Sequence, residues 1–160
     1  MGDLIFSAEK GPVDSAEILK NPLNEKITFS PSMFGIPELK NILTDTHFVV
    51  RDRMGRILSF LANIFVSKNS GIQGLGIDEN TVLLLNSEGS AHVMGGGTVY
   101  LLRPTTIPLI EKDHFNWKKI NVFRWKDGDS FSFANLVNPD YSYNVENGVI
   151  ISTQADGKIY

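Results

Sequence analysis

The 160-residue chain is long enough for one ordinary domain with its own core, and its 42% hydrophobic and 21% charged residues belong to a globular chain rather than a disordered one. A formal net charge of −3 excludes a basic field for nucleic acid or for an anionic membrane surface. The absence of cysteine removes disulfides, thiolate nucleophiles and zinc–thiolate sites together.

In chain order, Met1–Phe6 lacks the basic stretch and long apolar segment of a signal peptide. Gly2 with Ser7 falls one place off a myristoylation pattern. Residues 8–32 are broken by Gly11, Pro12, Pro22 and Pro31 and read as loop, with a brief helix starting at Asp14–Glu17. Pro37–Lys40 suggests a helical turn, and Ile42-Leu43 leads as a short strand into residues 44–56. From Arg51 to Val66 the apolar positions Met54, Ile57, Leu58, Leu61, Ile64 and Phe65 step by three and four, the period of a helix, which Lys68–Gly71 should end. No apolar run reaches the roughly 20 residues of a membrane-spanning helix. Short apolar runs then follow at Gly74–Ile77, Thr81–Leu85, Ala91–Met94, Thr98–Leu102 and Lys119–Trp125, with turns at Asn86–Gly89, Gly95–Gly97 and Lys126–Asp129. Gly148–Ser152 and Gly157–Tyr160 read as one more small hairpin, so the second half of the chain is expected to be a β-meander.

The chemistry is concentrated in residues 44–56, which hold His47, Asp45 and three arginines, Arg51, Arg53 and Arg56, where a strand pattern becomes a helix pattern. A histidine beside carboxylates can act as a general base, and arginines can hold an anionic substrate. Arg53 and Arg56 are three apart and share a helix face. Arg51 would lie near the helix start, where the macrodipole disfavours positive charge. The competing structural reading is a solvated face pairing with Asp52. The second dense segment is Gly74–Glu79, which ends on Asp78 and Glu79, and either carboxylate could orient the histidine. Its glycine spacing is not that of a dinucleotide loop, and no helix follows. No nucleophile is evident: G-x-S-x-G is absent, and Ser90 after Gly89 belongs to a hairpin rather than a strand-to-helix elbow. His92 and His114 have no partners at metal-ligand spacing.

Thr44-Asp45-Thr46-His47-Phe48 with Arg51-Asp52-Arg53-Met54-Gly55-Arg56, followed by Gly74-Leu75-Gly76-Ile77-Asp78-Glu79-Asn80-Thr81, resembles the paired signature of the cyanophycinase-like serine peptidases. The likeness continues through Ser90–Gly97, Ile120–Trp125 and Asp127–Phe131, and covers roughly residues 1–135. The stretch from Asn63 to Gln73 is a few residues longer than in shorter members, and residues 136–160 resemble the extension of some larger members, a C-terminal β-hairpin.

The resemblance implies a serine-type exopeptidase acting on acidic or β-aspartyl peptides such as cyanophycin, without a cofactor or metal. His47 would be the general base and Glu79 the acid of a triad, with Asp45, Thr46, Arg51, Arg53 and Arg56 lining the substrate pocket. Many members carry glutamine where this chain has Thr46, a departure that bears on the substrate rather than on the reaction. Family members carry the nucleophile elbow and the first strands of the sheet ahead of the matched region, and Met1–Phe6 resembles the stretch just after the serine. The expected fold is therefore α/β, the C-terminal half of a three-layer α/β/α sandwich like that of the class I glutamine amidotransferases. Such a half has an exposed sheet edge, which leaves open a missing N-terminal half or a homo-oligomer as partner. Alone it should be inactive. The alternatives are one subunit of a split peptidase and a catalytically inactive peptide-binding half-domain; nucleic acid and membrane are not among the expected partners.

Overall fold

A computed structural model describes residues 4–31, 35–68, 71–111 and 114–160. Its order is β1 (Leu4–Phe6), α1 (Ser15–Lys20), β2 (Phe29–Pro31), β3 (Ile42–Thr46), α2 (Met54–Lys68), β4 (Gln73–Ile77), β5 (Thr81–Leu85), β6 (Ser90–Gly95), β7 (Val99–Pro104), β8 (Leu109–Glu111), β9 (His114–Trp125), β10 (Ser130–Ser132), β11 (Tyr141–Glu146) and β12 (Val149–Ser152). The main sheet runs β12-β11-β9-β7-β4-β3, with β8 paired to β9. Only β3 and β4 among these pairs are parallel, and α2 makes the crossover between them. Strand β3 is the outer strand on that side, and among the described residues no strand pairs with its second edge.

The two faces of the sheet are apolar for different reasons. Along β7, Tyr100 and Leu102 join the core under the helices, whereas Val99 and Leu101 join the core under a second sheet of order β10-β6-β5. Burial on both faces explains why Val99–Leu102 reads as a continuous apolar run rather than an alternating one. Helix α2 supplies Met54, Ile57, Leu58, Leu61 and Ile64 to the first core, each buried. Side chains of this size contribute about 1.5–3 kcal/mol apiece when removed from water.

The α/β class is as expected, but the second half is not one meander. Strands β5, β6 and β10 leave the main sheet to cover it, so among the described residues the layer opposite the helices is β rather than α. Residues 29–31, expected to be loop, form β2 and pair with β1. The terminal hairpin is also different: Val149–Ser152 pairs with Tyr141–Glu146 across Asn147-Gly148, not with Gly157–Tyr160. Helix α1 starts where expected, because Asp14 Oδ1 accepts the Glu17 N–H at 2.8 Å. Asn69 and Ser70, expected to end α2, and Met1 and Gly2 lie outside the described residues.

Helix α2 begins at Met54, three residues later than the periodicity implies. Asp52 just before it has φ +44°, a left-handed value that no helix continues through. The freed N–H groups are met from far along the chain: Met54 N–H donates to the Tyr160 hydroxyl at 3.0 Å and Arg56 N–H to Ser15 Oγ at 3.2 Å.

Tyr100, Tyr141, Tyr143 and Tyr160 crowd the same side of the sheet. Burial raises all four phenols above their usual value near 10, Tyr100 to about 12. The unfolded chain therefore loses these protons first. The associated stability is fully present below about pH 10 and is lost as pH rises through the folded values. The urea midpoint should hold between about pH 8 and 9.5 and fall from about pH 10 upward; a flat profile to pH 12 would contradict this packing.

Candidate active site

Parallel strands β3 and β4 end side by side, with Thr46 opposite Ile77. The residues that follow each strand, His47 on one side and Asp78-Glu79 on the other, therefore meet at the carboxyl end of the pair. Open α/β sheets place their reactive groups at this edge, because strand ends fix a side chain while leaving its tip in solvent.

His47 Nδ1 lies 2.6 Å from Glu79 Oε1. Both side chains are close to half exposed, at 46% and 43%. An ion pair so exposed contributes only about 0–1 kcal/mol to stability. His47 nevertheless adopts φ +51°, which for a non-glycine residue costs on the order of 1–3 kcal/mol. The exposed ion pair by itself does not offset that cost. With Nδ1 turned to Glu79, Nε2 faces away from it.

Asp78 is used differently. Its Oδ1 accepts the Val49 N–H at 3.0 Å and its Oδ2 the Thr98 N–H at 3.1 Å. It ties the turn after His47 to the start of β7, and Glu79 is the carboxylate that touches the ring. Phe48 N–H donates to Ile77 O, and the Phe48 ring lies on Gly76 so closely that a Cβ there would sit 2.5 Å from it. A glycine is required at this position by close approach, not by its backbone angle.

Asp45 is buried, at 8% exposure. It faces the helix side of β3, as Leu43 does, and meets two arginines there. Arg53 Nη1 donates to Oδ1 at 2.9 Å, Arg56 Nη2 to Oδ1 at 2.5 Å and Arg56 Nε to Oδ2 at 2.9 Å. Arg53 Nη1 also donates to Thr46 O at 2.5 Å. Arg53 precedes α2 and only Arg56 is in the helix, so the two do not share a helix face as expected, but both guanidinia turn inward to Asp45; Asp52, the expected partner, bonds Tyr160 instead. Burial pushes the Arg53 guanidinium below its ordinary value against the pull of Asp45, and the neighbouring Arg56 and Arg51 lower it further. Arg51 is exposed in the turn before α2, not in the helix, and its N–H donates to His47 O.

Thr46 points to the other face of the sheet. With Thr44, Leu75, Ile77 and Leu83 it lines an open, mostly apolar cavity of about 610 Å³. Ser90 is the first residue of β6 and lies on no elbow; His92 Nδ1 contacts Ser130 Oγ at 2.9 Å across β6 and β10. Among the described residues, no group of three His, Asp or Glu side chains could hold a metal ion.

No protein-family model matches the chain. Among curated proteins it is 31% identical to the cyanophycinase of Trichormus variabilis over 80 residues, 50% of this chain and 25% of that protein. It is 30% identical to the cyanophycinase of Synechococcus elongatus over 104 residues, 61% of this chain and 31% of that protein. A third, from Geminocystis herdmanii, is 34% identical over 68 residues. The chain is cyanophycinase-like. The matches span only about a quarter to a third of the length of these relatives. The likeness is to part of these cyanophycinases, and what this chain itself does is a question for its own geometry.

One contributor to the site was not evident from the sequence. Tyr160, more than a hundred residues from His47, packs edge-on to Phe48 with ring centroids 6.0 Å apart. Its hydroxyl reaches Asp52 Oδ1 at 3.0 Å. Nothing local in Lys158-Ile159-Tyr160 signals this; only tertiary packing brings it there.

Proposed function

We propose that His47 and Glu79 are the base and the acid of a serine-type exopeptidase that hydrolyses acidic or β-aspartyl peptides related to cyanophycin. The observation that carries this reading is the 2.6 Å contact between His47 Nδ1 and Glu79 Oε1 at the carboxyl end of the parallel strand pair. Glu79 accepts the Nδ1–H and fixes the tautomer. Nε2 then takes the proton of a serine hydroxyl as its oxygen attacks the peptide carbonyl, and returns it to the departing amine.

The attacking serine is not among these 160 residues in a G-x-S-x-G elbow. We place it on a separate segment lying along the open edge of β3, where it would reach Nε2; such a segment would extend the main sheet beyond β3. Of the residues proposed to meet substrate, Thr46 and Arg51 are exposed. Arg51 is suited to a substrate carboxylate. The Asp45–Arg53–Arg56 cluster braces the strand end beside it.

The test is hydrolysis of β-Asp-Arg and of cyanophycin by the purified chain, alone and mixed with an N-terminal cyanophycinase portion that bears the serine. Activity should be absent alone and appear only in the mixture. Hydrolysis by the chain alone at the rate of an intact relative would contradict the proposal, and so would binding of the two portions without hydrolysis. The latter result would favour a peptide-binding half-domain.

A further inference from the structure

The turn that carries His47 is held from the far end of the chain. Tyr160 meets it at three points: its ring packs on Phe48, its hydroxyl accepts the Met54 N–H at 3.0 Å, and the same hydroxyl lies 3.0 Å from Asp52 Oδ1. Phe48 follows His47 directly, and Asp52 and Met54 flank the other end of the turn. Tyr160 is itself anchored. Its ring also packs edge-on to Tyr100, and the Tyr143 hydroxyl donates to the preceding carbonyl, Ile159 O. The Tyr160 hydroxyl donates to Asp52 while accepting from Met54.

Two residues of this turn, His47 and Asp52, have positive φ, at 51° and 44°. Such residues persist only where their surroundings over-determine them. The main-chain bonds of the turn, Arg51 N–H to His47 O and Arg53 N–H to Phe48 O, are local and could re-form in other turns. The bonds that fix it from outside come from Ile77 O and Asp78 on one side, and from Tyr160 and Ser15, whose Oγ donates to Asp52 O, on the other.

We propose that Tyr160 is a positioning residue for His47, a clamp that keeps the imidazole on Glu79. This rests on the reading of His47 as the base. Tyr160→Phe keeps the ring and removes the hydroxyl, and the whole chain is used. Amide exchange at Met54 should accelerate about 10-fold, the loss of one ordinary hydrogen bond. Exchange in β5 and β6 should not change. In ¹⁵N spectra of the imidazole, the His47 Nδ1–H form should give way to a mixture of tautomers. Faster Met54 exchange with an unaltered His47 spectrum would overturn the proposal and leave Tyr160 a helix cap only. If the unmodified protein itself lacks the Nδ1–H form, the base reading fails. In that event, shifted His47 ring signals in Tyr160→Phe still support the clamp, and unshifted ones overturn it.

Discussion

Replacing Asp45 with alanine should destabilise the fold by about 3–5 kcal/mol, the usual cost of removing one partner from a buried ion pair. Asp45 is 8% exposed and accepts three guanidinium hydrogen bonds from Arg53 and Arg56, which are themselves mostly covered. Without it, two positive charges face each other at the N-terminal end of α2, the end where positive charge is least tolerated. Little solvation remains there, since the Arg53 and Arg56 side chains are only 15% and 18% exposed. Urea unfolding of Asp45→Ala measures the loss directly. A change below about 1 kcal/mol would mean that the cluster is solvated and free to serve substrate instead.

The second large effect concerns chemistry rather than stability. In the complemented peptidase, His47→Ala should lower kcat by about six orders of magnitude and Glu79→Ala by about four, as loss of base or acid does in serine hydrolases. Neither change should cost more than about 1 kcal/mol of stability, because the pair is exposed. Asp78→Ala should behave in the opposite way. It would lower stability by freeing the Val49 and Thr98 N–H groups, and activity only through the displaced turn. A Glu79→Ala enzyme with undiminished kcat would remove Glu79 from the triad.

What could be read in the sequence follows from local periodicity. The helix over α2 is visible because its apolar residues step by three and four, and the strand-to-helix change marks where His47 lies. The same pattern puts Arg53 and Arg56 on one face, but it cannot show that Arg53 precedes the helix or that both guanidinia turn inward to Asp45. That depends on α2 packing over β3, where alternate residues of the strand, Leu43 and Asp45, look up at it. The choice between Asp78 and Glu79 was likewise open, since both are carboxylates at a strand end. In the structure the Val49 and Thr98 N–H groups take up Asp78, and Glu79 contacts the ring. The late start of α2 and the pairing of β1 with β2 rest on contacts between residues far apart in the chain. The clearest case is Met54, whose cap is the hydroxyl of Tyr160, 106 residues away.

The claim that His47 is held as a base by Glu79 is tested most directly by the ¹⁵N spectrum of its imidazole at about pH 9, where an ordinary histidine is neutral. The proton should reside on Nδ1, with Nε2 bare, and Glu79→Ala should move it to Nε2. A His47 proton on Nε2 in the unmodified protein, unaffected by Glu79→Ala, would contradict the account.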